Sequence, residues 1–537
     1  MPLPTLTLAA QPETLAAVPP LTWVLAVSPV VLLLALVLWG RFSTIVNASV
    51  TVAYSIAVAV LAFGAGGLTV AVGLGKGAWV GLWILYVIWP ALLMHHLATH
   101  VGMKALGQAL STMLPRRTEN VLLLAWVLPS FIQGVSGFGT PIAVAAPLLV
   151  ALGIGKARAV ALPLIGYHWA VGFGSMGSSF YMGALTAHLD SPGRAAYAAS
   201  AAVLLGVNCL LSGVLVALMD GGLGGLREGW RLLATAGPVM ALVQAGAARL
   251  EPGIAALCAG ASGVAVVFVL RRFSARDREA TPSDPGDAQM RSRARAAAVP
   301  YALLGIVALA VFLPPALRSW AKGHLLIGPS FPQTSTHQGT VNDAVSVYNP
   351  IALLGHPGTF LLVASAGSVA VWAARGIWAR GAWGPVWRGA LKQAWKSSPS
   401  VVLLASVAGV LVDSGMVRTV AQGAAVATGS AYPAIAPLVG ALGSFITGST
   451  TSSNALFSSL QADVAHLIGE PPADLLAGQL AGGNIGNSLA PVVILLGLSA
   501  VGASRRAGEV LRMTLAPAAV LLASAIAGTC LLVAVHH

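Results

Sequence analysis

Eight consecutive residues, Thr447, Gly448, Ser449, Thr450, Thr451, Ser452, Ser453 and Asn454, are small or polar inside an otherwise hydrophobic stretch. Hydroxyls and an Asn amide can hydrogen-bond a carboxylate or a hydroxyl, and the same oxygens can hold Na+. Helix packing through small residues uses one or two positions per turn and does not call for eight in a row. A second such segment reads Gln133-Gly134-Val135-Ser136-Gly137-Phe138-Gly139-Thr140-Pro141. Pro141 suits the first turn of a helix, and the free N–H groups of that turn, at the positive end of the helix dipole, can hold an anion without Lys or Arg. A tight turn with no ligand would use the same glycines. Two further glycine-rich segments follow, Tyr167-His168-Trp169 with Gly172 to Gly177, and Gly482 to Ser488 with Asn484 and Asn487.

These segments must be held by membrane-spanning helices. The chain has 537 residues, 57% apolar and only 8% charged, which is too little charge to cover a soluble surface. Apolar runs of about 20 residues, enough to cross a bilayer, recur about twelve times. They cover 21–39, 46–70, 78–101, 157–187, 195–219, 232–248 and 253–270, then 299–317, 350–374, 400–420, 475–503 and 510–535. Residues 1–20 carry only Glu13 and no basic lead, so 21–39 is expected to be a retained span. Two stretches, 119–153 and 433–469, hold two short apolar arms each around a polar break and read as re-entrant hairpins. The fold class is therefore an all-α polytopic membrane protein, with about twelve spans plus two hairpins in two inverted repeats. The halves are 1–270 and 299–537. The basic stretch between them, 271–298, is read as an irregular cytoplasmic linker.

Sidedness follows from Lys and Arg in short loops, which favour the cytoplasm. Arg271 to Arg295 holds seven Arg, and Arg375, Arg380, Arg388, Lys392 and Lys396 form a second basic stretch. With both inside, the hairpin after Arg117 is entered from the cytoplasm and the later one from outside. Broken helices in inverted repeats that meet near the midplane are the plan of many secondary transporters. The net charge of +13 is accounted for by these loops and implies no nucleic-acid partner. Cys209, Cys258 and Cys530 are far apart and suggest neither a disulfide nor a metal site. The sequence shows no GxSxG or HExxH and no facing His pair for haem, so it is not read as an enzyme and no cofactor is expected.

Few ionisable groups lie deep. His168 can carry a proton near neutral pH or serve as a neutral, hydrogen-bonded core residue; both roles stand open. Asp413 is the deep carboxylate, and Arg418, about one turn on, is read as its neutralising partner. His95, His96 and His100 include metal-ligand spacing but lack carboxylate or Cys company, and are read as an interfacial group.

In Gly137-Phe138-Gly139-Thr140-Pro141-Ile142-Ala143, Phe173-Gly174-Ser175-Met176-Gly177, Met219-Asp220-Gly221, and Thr451-Ser452-Ser453-Asn454-Ala455-Leu456-Phe457, the chain resembles the bacterial lactate permeases. The resemblance runs through both halves in the same order. It implies proton symport of lactate or glycolate, a moving hairpin domain on a static scaffold, a homodimer, and the bacterial cytoplasmic (inner) membrane. Against that family's pattern, Gln133 stands in place of Glu, Thr450 of Asp and Asn487 of Lys. The expected substrate site is Gln133, Ser136, Gly137, Gly139, Thr140, Tyr167, His168, Ser449, Thr450, Thr451, Ser452, Ser453, Asn454, Asn484 and Asn487. His168 and Asp413 are the coupling candidates. The expected activity is symport of a small organic anion, most simply a short monocarboxylate, with H+ as coupling ion. Na+ coupling, exchange and a passive anion channel are the alternatives. With three neutral replacements, no fixed cation is expected to face the anion.

The charge count predicts opposite sidedness for the two hairpins. Single cysteines at the Arg117 and Lys156 flanks should label from the cytoplasm, and those at the Ala431 and Glu470 flanks from outside. Labelling of all four from one side would remove the inverted arrangement.

Overall fold

A computed structural model describes residues 19–39, 41–103, 105–106, 108, 114, 116–137, 139–274 and 285–537. It is almost entirely helical. Among the described residues, eleven helices are long and apolar enough to cross a membrane, or up to thirteen if each of two bent pairs counts as one span. The first half contains α1 (Pro20–Trp39), α2 (Thr44–Phe63) and α3 (Gly67–Val101), the arms α4 (Arg117–Val135) and α5 (Thr140–Ala151), and the bent pair α6 (Lys156–Tyr167) and α7 (Gly174–Thr186). These lead into α8 (Ser191–Leu250), kinked at Gly221 and Gly222, and α9 (Pro252–Ser274). The second half runs through α10 (Pro285–Phe312), α11 (Pro315–Gly323), α12 (Pro357–Ala374), α13 (Trp383–Asp413) and α14 (Met416–Thr428). It closes with the arms α15 (Tyr432–Thr447) and α16 (Thr450–Ile468), the bent pair α17 (Pro472–Leu489) and α18 (Pro491–Ala500), and α19 (Ala507–His536).

Two sequence readings are corrected. The linker read as irregular is helical from Pro285, because Ala, Gln, Met and Arg dominate 288–298 and are strong helix formers; 275–284 lie outside the described residues. The segment 482–488, read as a helix break, is continuous helix within α17, and the chain bends by 47° at Pro491 instead. Its glycines are there for close approach. A Cβ on Gly482 or Gly440 would run into the backbone of the other helix, at Pro437 and Gln479 respectively, so α15 and α17 meet backbone to backbone.

A second contact of this kind builds the other side of the molecule. Gly73, Gly77 and Gly81 stand one turn apart on α3 and face Gly409, Ala405 and Val402 of α13. Near one end of that seam Lys76 Nζ lies 3.1 Å from Asp413, and both side chains are buried. The polar stretch between α11 and α12 folds over this end. It forms two small antiparallel pairs, Leu326–Ile327 with Ile351–Ala352 and Thr334–Ser335 with Val341–Asn342. Asn342 Nδ2 donates to the Asp413 carbonyl at 2.9 Å, and Trp79 Nε1 donates to Asn349 O at 3.0 Å, which fastens the cap to both helices of the seam.

Because overpacking a tight seam costs about 1–3 kcal/mol, Gly77→Ala and Gly482→Ala should each lower the melting temperature in detergent by several degrees. Gly305→Ala, whose added Cβ meets nothing within 4 Å, should leave it unchanged or raise it slightly. Equal melting of all three would refute close backbone approach as the organising contact.

Candidate functional site

Gly137 and Gly139 at the tip of the first hairpin, and Gly448 and Ser449 at the tip of the second, open on one cavity of about 420 Å³. Lining it are Gln133, Gly137 and Gly139 of the first hairpin, Ser449, Thr450 and Thr451 of the second, Tyr167, and Asn487. Eight of the residues expected from sequence therefore meet in one space. The others lie behind it. Ser136 and Thr140 hydroxyls bond each other at 3.2 Å, and Ser452, Ser453, Asn454 and Asn484 are buried in helix contacts.

Sequence reasoning missed Ser175, Ser178 and Ser179, which line the cavity from α7. The run Ser175-Met176-Gly177-Ser178-Ser179 carries the same signal as the second hairpin, small polar residues at a break in an apolar stretch. The backbone there is unusual: Ser175, Met176 and Gly177 all have left-handed φ, at 48°, 51° and 78°. Non-glycine residues in that region are uncommon and strained, so surrounding contacts must hold them. One such contact is the Gly137 N–H, which donates to Ser175 Oγ at 2.7 Å and ties the first hairpin tip to the bend.

The second hairpin is fixed to the same bend from the other side. Ser179 and Thr451 hydroxyls meet at 3.0 Å, Asn454 Nδ2 donates to Ser179 O at 2.8 Å, and Thr186 Oγ1 donates to Asn454 O at 3.2 Å. Ser449 caps α16 by accepting from Ser452 N, and Asn487 Nδ2 holds the Gly448 carbonyl at 2.9 Å. Most backbone groups freed at the tips thus have protein partners. Among the described residues the Thr450 hydroxyl has no partner, although it is buried.

The charge of the site differs from expectation. Lys396, an exposed residue, and Gln393 of α13 line the cavity, so a cationic residue stands at its wall despite the neutral Gln133, Thr450 and Asn487. Sequence reading had counted Lys396 only toward sidedness. Gln393 is itself met by His96 Nε2 at 3.1 Å, which gives that histidine a polar partner in the protein. His168 is fully buried outside the cavity lining. Its Nδ1–H donates to Ile165 O at 2.9 Å, leaving Nε2 without a partner among the described residues. Asp413 is also outside the cavity, and its ion pair is with Lys76 rather than Arg418. The correction has a simple cause: α13 ends at Asp413, so Arg418 lies on the next helix, whereas the α3 seam brings Lys76 alongside.

Residues 22–536 match the L-lactate permease family. An L-lactate permease of Streptococcus iniae is 27% identical over 412 residues, covering 74% of this chain and 81% of the relative. Glycolate permease GlcA of Escherichia coli K12 is 26% identical over 529 residues, 92% of each chain. An L-lactate permease of the same strain is 27% identical over 498 residues, 87% of this chain and 88% of the relative.

Removing one member of a buried ion pair strands the other charge and costs about 3–5 kcal/mol, whereas replacing both by apolar groups is often neutral. Asp413→Asn should therefore sharply lower the melting temperature in detergent, and Lys76→Met with Asp413→Leu should restore most of it. If the double variant melts no higher than the single one, Lys76 is not the partner that matters.

Proposed function

Because the chain belongs to the L-lactate permease family, we propose that this multi-pass membrane transporter carries a short 2-hydroxy monocarboxylate, lactate or glycolate, through the cavity between the hairpin tips in symport with protons. The observation that carries the reading is the convergence of both tips, the strained bend and Lys396 on one space. Its volume lies within the range of about 300–1,000 Å³ usual for small-molecule sites. A 2-hydroxy acid presents a carboxylate and a hydroxyl side by side. Lys396 supplies charge for the first, and the hydroxyls of Ser449, Thr450 and Thr451 with the amides of Gln133 and Asn487 supply donors and acceptors for both. The relatives are permeases rather than enzymes, and the bound anion is moved, not converted.

Lys396 balances the anion inside the site but provides no driving force, because it stays with the protein. A cation must enter with the substrate for it to be concentrated. His168 is the candidate carrier: Tyr167 beside it lines the cavity, and its open Nε2 can receive a proton. The unpartnered Thr450 Oγ1 is where Na+ would act instead. The same reading includes the cytoplasmic membrane of a bacterium and a homodimeric assembly.

Purified protein in liposomes should accumulate L-lactate or glycolate on an inward proton gradient without Na+. Lys396→Gln should raise KM about tenfold, equivalent to about 1.4 kcal/mol, and His168→Gln should keep exchange while losing gradient-driven accumulation. A requirement for Na+ would replace the proton with Na+ and the histidine with the second hairpin tip. Accumulation on a pH gradient by His168→Gln would remove His168 as carrier. Downhill flux alone would make the protein a channel.

A further inference from the structure

A second cavity, of about 350 Å³, lies on the other side of the bend from the first. Ser178 and Ser179 of α7 line the central cavity, and the next two residues, Phe180 and Tyr181, line this one. Those two rings belong to an aromatic block that separates the spaces. Phe180 stacks on Tyr197 at 4.4 Å between centroids, Tyr181 packs on Trp83 at 5.0 Å, and Trp83 on His356 at 4.3 Å. Trp83 in the wall of the second cavity and His96, which touches Gln393 of the first, are about 20 Å apart along α3 at 1.5 Å per residue. The second cavity is thus a vestibule on the face away from the basic stretch 375–396.

Its charge is one-sided. Arg194, Arg249 and Lys322 line it against one acid, Glu251, which is buried and paired with Lys322 at 2.7 Å. Arg194 Nε donates to the Asp190 carbonyl, while the Asp190 carboxylate accepts from Gly193 N as the cap of α8. Arg249 has no acidic partner among the described residues. The wall also contains a buried hydrogen-bond donor. His356, 2% exposed, accepts from Gly358 N through Nδ1 at 3.1 Å, so in the neutral ring the proton is on Nε2, and Nε2 has no partner among the described residues. Burial holds the pKa of His356 at about 3, which keeps the ring neutral. A buried, unpaired N–H is costly to keep and is explained when a ligand supplies the acceptor.

We propose that this vestibule is a second binding site for a small carboxylate, with Arg194 and Arg249 meeting its charge and His356 Nε2–H donating to it, from which substrate passes to the central cavity when the Phe180–Tyr181 block opens. The proposal rests on the reading that the transported anion is a short carboxylate. Two cationic side chains at the mouth would also concentrate anions from solution, an effect that falls with ionic strength.

Equilibrium binding of radiolabelled L-lactate to the purified full chain tests both sites separately. Wild type should bind two per chain, Arg194→Gln with Arg249→Gln one, and Lys396→Gln one. In liposomes the double Arg variant should raise KM several-fold at low salt with little change in maximal rate. Wild-type uptake should fall between low and high salt, and the double Arg variant should abolish that fall. Binding that persists in the double Arg variant but is lost in Lys396→Gln, with two sites still counted in the former, would overturn the vestibule. Binding of one lactate lost only in the double Arg variant would support the vestibule and remove the central site. A single site lost only in Lys396→Gln, or no lactate binding in any form, would overturn the vestibule proposal. His356→Gln, which retains a side-chain N–H donor, should bind more tightly than His356→Leu; equal affinity would remove the histidine from the site.

Discussion

A peptide group moved into hydrocarbon without a hydrogen-bond partner costs several kcal/mol, and that cost decides where this chain can stop being helical. Its interior breaks include Gly137 and Gly139, 171–177, 448–449 and Ala490. At the two hairpin tips, groups from elsewhere in the chain take up freed backbone. Ser175 receives the Gly137 amide and Asn487 holds the Gly448 carbonyl. The cavity exists because broken backbone has to be gathered in one place, and the place chosen needs walls rich in hydroxyls and amides.

Those walls are positioned by two seams in which glycine lets backbone touch backbone. One joins α15 to α17 and sets the second hairpin against Asn484 and Asn487. The other joins α3 to α13 and sets Lys396 and Gln393 against the cavity while burying Lys76 with Asp413. Helix interiors lose about 1 kcal/mol for each Gly in place of Ala. Burial between lipid-excluding helices returns packing contacts that no residue with a Cβ could make at that distance. Charge and close packing thus share the same helices: the cationic residue lining the site sits on the long helix α13 of a glycine seam and not on a hairpin tip.

The sequence displayed the hairpins clearly because polar residues in a row conflict with a lipid environment, whatever the tertiary structure. The run 447–454 and the Gly137 to Pro141 turn were legible for that reason. Glycine was ambiguous in a way composition cannot resolve. Gly172 to Gly177 breaks a helix, whereas Gly482, Gly483 and Gly486 leave one intact and serve packing, and the difference depends on what lies opposite. Lys396 and Lys76 were illegible for a different reason. A lysine near the end of a span looks the same whether it faces cytoplasm or a cavity, and the partner of Asp413 lies more than 300 residues away in the chain. Ser175, Ser178 and Ser179 could have been found by applying to the first half the test that singled out the second hairpin.

Neither hairpin tip contains an ionisable side chain: Ser136, Gly137, Gly139 and Thr140 on one side, Thr447 to Asn454 on the other. A formal charge moved through the whole membrane potential exchanges about 2.3 kcal/mol per 100 mV. A displacement of these tips with nothing bound moves no formal side-chain charge, so the voltage across the bilayer acts on an empty site through them only by way of backbone dipoles. A loaded site adds to this whatever net formal charge its cargo leaves uncancelled, and so couples tip motion to the electric field far more strongly.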